Sequence, residues 1–105
     1  MRGDEMVAQA SKTIRLAAGR LGYKEACELA RLLAARAAGG KVLLDLGAAT
    51  RTSTAALARL VLLRRQLLAR GDDLGVVGLR GQPRALHEIS RLGKALPVWP
   101  EGDTE

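Results

Sequence analysis

The chain has 105 residues, of which 48% are apolar, and its formal net charge at neutral pH is +6. This length supports a single hydrophobic core and excludes two independent domains, while the apolar content excludes a disordered chain. Arg or Asp interrupts the apolar stretches well before the roughly 20 residues of a membrane span, and the N-terminus lacks the apolar core of a signal peptide. We therefore expect a cytoplasmic protein that is not embedded in a membrane.

The first third of the chain predicts one strand and one helix. Residues 1–11 are weakly specified, and within them only residues 6–8 are apolar enough for a short edge strand. Thr13–Leu16 alternates polar and apolar side chains as a half-buried strand does, and a turn follows at residues 19–22. Residues 23–38 have the apolar spacing of a helix with one buried stripe, formed by Ala26, Leu29, Ala30, Leu33 and Ala37.

The middle of the chain predicts a buried strand followed by a longer helix. Residues 42–44 are an unbroken apolar run closed by Asp45, which is typical of a central strand covered on both faces. A helix begins at Ser53 or Thr54 and ends at Arg70, before a turn that contains glycine and two aspartates. Its inward residues are predicted to be Leu57, Leu60, Val61, Leu67 and Leu68.

The last third predicts a strand over residues 76–79, a helix that has Pro83 in its first turn and reaches residue 92, and a short strand at residues 98–99. Strands that alternate with helices indicate crossover units, and therefore an α/β domain with a mainly parallel or mixed sheet. We assign this domain to residues 12–100, with a tail at residues 101–105. The loops after the strands of such a sheet meet at one edge, where functional sites gather.

The sequence offers little catalytic chemistry. It contains no phosphate-binding loop and no dinucleotide-binding glycine motif. His87 is the only histidine and lies in a short amphipathic helix, where an exposed or half-buried side chain is expected. Cys27 is the only cysteine, and its helical pattern predicts a small buried hydrophobe. We therefore predict a protein that is not an enzyme and that uses no cofactor and no metal.

The hydroxyl-rich stretch at residues 50–54 precedes the second helix directly. A Ser or Thr at this place caps the free backbone N–H groups of a helix, which is sufficient to explain it. A phosphate on such a hydroxyl would also meet the positive end of the helix dipole. Both interpretations place Ser53 and Thr54 at the helix start.

Several segments together resemble a STAS domain of the anti-sigma-factor antagonist type. They are residues 42–50, 53–57, 71–74 and 76–79, with residues 16–21 upstream. That family combines an apolar strand ending in Asp, an Asp-Ser-Ser-Gly-Leu turn before a helix, an Arg-Gly helix end and a further apolar strand. The resemblance covers nearly the whole chain after its first ten residues, and the combined spacing is specific.

The resemblance implies a STAS-like fold, a small mixed sheet of about four strands with helices packed mainly on one face. It also implies docking to a protein partner such as an anti-sigma kinase. In register with the family, the phosphoacceptor is Thr54, with Ser53 as second choice, although Ser53 stands where the family has Asp and Gly47 where it has Ser. The implied partner-binding residues are Asp45, Thr50, Arg51, Thr52, Ser53, Thr54 and Arg59.

Two alternatives stay open at this stage. The domain is a subunit without a switch in a larger complex, such as a stressosome-like scaffold or the accessory subunit of a lipid-transport ATPase. Alternatively, the net charge serves nucleic acid or anionic lipid, although the arginines are spread over every segment and give no strong nucleic-acid signal. The sequence does not identify the partner, decide whether the charge serves an acidic one, or give the oligomeric state.

Overall fold

The computed structural model describes residues 7–10, 13–35 and 40–99. Only residues 7–10 of the weakly specified segment 1–11 lie within this range, and the predicted tail at residues 101–105 lies outside it. In chain order the elements are β1 (Val7–Ala10), β2 (Thr13–Leu16), β3 (Arg20–Leu21), α1 (Tyr23–Ala35), β4 (Lys41–Asp45), β5 (Arg51–Thr52), α2 (Thr54–Ala69), β6 (Asp73–Val77) and α3 (Gly81–Ile89).

The main sheet has the strand order β1-β2-β4-β6. β2, β4 and β6 are parallel, and β1 pairs antiparallel with β2 at the edge. α1 connects β2 to β4 and α2 connects β4 to β6, as parallel neighbours require. The mixed α/β class is therefore confirmed, and the edge strand that the sequence allowed near residues 6–8 is β1.

The prediction of one small sheet of about four strands describes the main sheet but not the whole domain. β3 and β5 form a second, two-stranded parallel sheet in which Arg20 lies opposite Arg51. β3 occupies the segment predicted as a turn. The final strand predicted at residues 98–99 is instead an isolated bridge from Val98 to Val76.

The two long helices pack on one face of the main sheet. Alternate residues of the parallel strands point towards them, and these are the buried Ile14, Leu16, Val42, Leu44, Leu74 and Val76. Leu43 of β4 is also buried, so the prediction of a central strand covered on both faces is confirmed. On the opposite face the ring of Trp99 lies against Gly75, and Lys41 Nζ lies 4.3 Å from the centre of the ring.

The buried stripe of α2 is rotated from the predicted one. It consists of Ala56, Leu57, Leu60, Leu63 and Leu67, which follow the 3.6-residue period. Leu68, predicted inward, is 45% exposed because it lies beside that stripe, and Val61 is half-buried.

Two further predicted boundaries were wrong. β6 begins at Asp73, which pairs with Lys41, and it ends before Gly78, whose φ of +81° leaves the extended conformation. α3 ends at Ile89 rather than at residue 92, because Arg91 adopts a φ of +56°.

Candidate functional site

α2 begins with a side-chain cap. Ser53 is the N-cap residue, with extended backbone angles, and its Oγ accepts a hydrogen bond of 3.1 Å from the N–H of Ala56. The capping interpretation of the hydroxyl-rich stretch is thus confirmed. Thr54, the first helical residue, is exposed and its hydroxyl makes no hydrogen bond within the described residues. Ser53 therefore holds the helix start, while the Thr54 hydroxyl faces solvent.

The other two hydroxyls of the stretch fasten it to β3. Thr50 donates from both its N–H and its Oγ1 to the carbonyl of Gly19, at 2.7 and 3.0 Å. Thr52 Oγ1 donates to the carbonyl of Leu21 at 2.7 Å. Both hydroxyls therefore position the loop before α2.

Gln82 of α3 binds the backbone of the same loop. Its Oε1 accepts from the N–H of Thr52 at 2.8 Å, and its Nε2 donates to the carbonyl of Thr52 at 3.2 Å. This paired contact joins the first turn of α3 to β5. Sequence reasoning missed it, since Gln82 is 30 residues away and belongs to no motif.

Asp45 organises the turn at the end of β4. One carboxylate oxygen accepts from the N–H of Gly47 at 2.9 Å, and the other pairs with Nε of Arg15 at 3.2 Å. A Cβ on Gly78 would lie 2.8 Å from the Asp45 carboxylate, so glycine is needed for this close approach. Both oxygens of this predicted partner-binding residue are thus engaged inside the chain.

Positive charge without internal counter-charge gathers near the start of α2. Residues 46–71 contain five arginines and no acidic residue. Arg64 pairs with Asp73, and Arg70 pairs with Asp72. By contrast, the arginines at positions 20, 51, 59 and 65 form no ion pair within the part of the chain that the structure describes. The long acid-free run is the sequence signal that would have revealed this charge.

The outward side of α2 is mostly apolar between these arginines. We call this surface the α2 face, and it comprises Thr54, Ala55, Ala58, Leu62 and Arg65, all exposed. Leu62 is 46% exposed, whereas its neighbour Leu63 is fully buried. Of these two adjacent leucines, one therefore lies on the surface and the other in the core.

Tyr23, at the start of α1, lies close to Arg59 of α2. Tyr23 is 55% exposed, and its pKa is raised above the ordinary value, first by a hydrogen bond with the side chain of Cys27 and by electrostatic interaction with it, while Arg59 acts in the opposite direction. Cys27 is half-buried, so the prediction of a buried hydrophobe was wrong. Arg59 Nη1 is buried and has no hydrogen-bond partner within the described residues.

A cavity of about 300 Å³ lies at the start of both long helices. Polar and charged groups form most of its wall, which consists of Arg20, Gly22, Arg51, Thr52 and Ser53. Because Ser53 directly precedes the α2 face, the cavity and that face adjoin. Predicted residues Arg51, Thr52 and Ser53 are thus brought together here, and the structure adds Arg20 to them.

A second cavity, of about 480 Å³, lies beside α3 and contains His87 and Trp99. His87 is buried, which corrects the expectation of an exposed or half-buried side chain, and its Nε2 lies 2.7 Å from the carbonyl oxygen of Leu96. Arg84 in the same wall pairs with Glu88 at 3.1 Å. The ionic groups of this cavity are therefore engaged within the chain, unlike those of the first one.

The α/β fold is compatible with what a comparison to known families finds. The family model described as "Mlab, STAS domain" matches residues 4–98. The chain belongs to the STAS domain family. No curated protein matches it.

Within the described residues of this STAS domain, no helix is long and apolar enough to cross a membrane. Likewise, residues 7–10, 13–35 and 40–99 contain no group of three or more His, Cys, Asp or Glu side chains that could hold a metal ion. Family membership supports a general regulatory or binding role, and STAS domains commonly bind protein partners.

Proposed function

We propose that this STAS domain is a non-catalytic regulator that docks a protein partner, such as an anti-sigma kinase, in the manner of an anti-sigma-factor antagonist. The docking surface is the α2 face together with the loop at residues 45–54. The observation that supports this proposal is the exposed apolar strip of α2, which lies between arginines without internal ion pairs and beside an exposed hydroxyl.

The composition of the α2 face suits a protein contact. Ala55 and Ala58 are small, so a partner element can approach the helix closely, and Leu62 can bury its exposed half for roughly 1 kcal/mol. Tyr23 and Arg59 lie at its side, and Tyr and Arg are enriched among the residues that dominate binding energy. A nucleic-acid surface would gain nothing from the apolar strip, which favours a protein partner.

Capture from the native cell tests the docking surface. Leu62→Glu places a charge on the α2 face, and Ile89→Glu is the matched control, because Ile89 is an exposed aliphatic residue of α3. We expect the wild type and Ile89→Glu to retain the same protein, identified by mass spectrometry, and Leu62→Glu to lose it. If both variants retain that protein equally, the docking surface is not the α2 face.

Thr54 is the proposed phosphorylation site of this regulator. Its hydroxyl is exposed and unbonded within the described residues, whereas Ser53 Oγ is half-buried and caps the helix. A phosphate on Thr54 would bring a charge of about −1.5 to −2 to the edge of the docking surface, next to Arg51. It would therefore change the electrostatics of the contact directly.

A subunit without a switch is the second candidate. It is favoured by the cap itself, since Ser53 stands in place of an acidic residue and uses its hydroxyl for structure. Comparing Thr54→Glu with Thr54→Ala in the capture experiment separates the two. A switch predicts that only Thr54→Glu releases the partner, and that the purified native protein has the mass of a phosphorylated form. Equal capture by both variants identifies the constant subunit.

A further inference from the structure

We propose that the cavity between Arg20 and Arg51 receives a carboxylate side chain from an acidic segment of the protein partner. We call it the arginine cavity. This inference rests on the proposed function, because it names the chemistry of the partner that docks on the adjoining α2 face. It assigns a direct role in binding to Arg20, which was not among the partner-binding residues predicted from the sequence.

The arrangement of the two arginines is unfavourable in the chain on its own. Arg20 and Arg51 are direct register partners on the neighbouring strands β3 and β5. Like charges held side by side on paired strands repel each other and destabilise the pairing. Neither guanidinium forms an ion pair within the described residues. A carboxylate between them would remove this repulsion and accept hydrogen bonds from both.

The remaining wall of the arginine cavity also suits an acceptor. Ser53 Oγ already accepts from Ala56, so its own hydrogen is available to donate. Ser53 is also the N-cap of α2, so the positive end of that helix dipole lies at the wall. Glu25 is the opposing group nearby, but its Oε1 is held at 3.0 Å by the N–H of Gly22. A ligand with acceptor oxygens only, a carboxylate, matches these donors.

Position selects a protein carboxylate over a free anion. The arginine cavity opens beside Thr54, at the end of the apolar α2 face, so one partner segment can insert an acidic side chain and lay aliphatic residues over Leu62. A free phosphate would bind in the arginine cavity alone and would leave Leu62 uncovered. A polynucleotide would use all the unpaired arginines and leave the apolar strip uncovered.

Titrations followed by amide chemical shifts test the arginine cavity. The probes are a ten-residue glutamate peptide, the matching glutamine peptide, inorganic phosphate and a ten-nucleotide oligo-dT. Arg20→Gln and Arg51→Gln remove one cavity charge each, and Arg91→Gln is the control, because Arg91 is exposed and lies after α3, outside both the cavity and the α2 face. All three change the net charge equally, and their amide spectra report whether each is folded.

We expect the glutamate peptide to shift the amides of residues 20–22 and 51–54, and the glutamine peptide to leave them unchanged. Arg20→Gln and Arg51→Gln should each weaken binding of the glutamate peptide about tenfold, equivalent to about 1.4 kcal/mol, and Arg91→Gln should weaken it no more than about twofold. Glu25→Gln keeps a side-chain acceptor for Gly22 and should strengthen binding, because it removes the opposing charge.

Three outcomes overturn the proposal. They are equal weakening by all three arginine variants, tighter binding of phosphate than of the peptide, and tighter binding of oligo-dT than of the peptide. The cellular capture separates this failure from failure of the docking surface itself. If Leu62→Glu loses the partner and Arg51→Gln retains it fully, docking on the α2 face stands and the arginine cavity is not its carboxylate site.

Discussion

Replacing Ser53 by Ala removes the side-chain cap of α2. The Ala56 N–H would lose its 3.1 Å acceptor, and the hydroxyls of Thr50 and Thr52 are already bonded to the carbonyls of Gly19 and Leu21. Loss of a Ser cap costs about 1 kcal/mol, within a range of about 0.5–2 kcal/mol. For a chain of 105 residues this corresponds to a fall in Tm of about 4–5 °C.

The measurement is equilibrium urea unfolding at pH 7, followed by the fluorescence of Trp99, the only tryptophan. Ser53→Asp retains a capping acceptor and should stay close to the wild type, and Thr54→Ala should change stability by less than about 0.5 kcal/mol. If Ser53→Ala and Thr54→Ala cost the same, or if Ser53→Asp is as unstable as Ser53→Ala, the assignment of Ser53 as the cap is refuted.

Two further variants test contacts that hold the site and the sheet. Gln82→Ala leaves the backbone N–H and carbonyl of Thr52 without their partner and should lower the free energy of unfolding in urea by about 1–3 kcal/mol. Gln66→Ala, at an exposed position of α2, should change it by no more than about 0.5 kcal/mol. Equal losses of stability in the two variants would contradict the role of Gln82. Gly75→Ala places a Cβ 2.2 Å from the ring of Trp99 and should cost about 1–3 kcal/mol and alter the near-ultraviolet circular dichroism, and an unchanged spectrum would show that the ring does not pack there.

The elements of the main sheet follow from local patterns. The alternation of β2 indicates which side chains face the helices, and the apolar run of β4 indicates a strand covered on both faces, so both strands could be located from the sequence. The predicted buried stripe of α2 was rotated from the observed one because Leu, Val and Ala occupy every position from Ala55 to Leu63 except Arg59. Several faces of the helix therefore look equally apolar in the sequence. Burial by β6 and α1, rather than composition, selects Leu63 over Leu68.

The short elements at the site could not be predicted, since two residues show no period. β3 and β5 pair across 31 residues of sequence, and the bonds of Thr50 and Thr52 to carbonyls span the same separation. For the same reason Arg20 was assigned to a turn, although it lies opposite Arg51 in the structure. The capping role of Ser53 needed only the local sequence, because an N-cap bond spans three residues. Local chemistry was therefore predictable, and the long-range pairing that builds the arginine cavity was not.

Site-specific photocrosslinking in the native cell tests the central claim most directly. The photoreactive residue p-benzoylphenylalanine replaces Ala58 on the α2 face in one protein and Ala85, an exposed alanine of α3, in another. Docking on the α2 face predicts a discrete crosslinked protein from position 58 and none from position 85, and the crosslink at position 58 should disappear when Leu62→Glu is added. A discrete crosslinked protein from position 85, with none from position 58, would contradict docking on the α2 face.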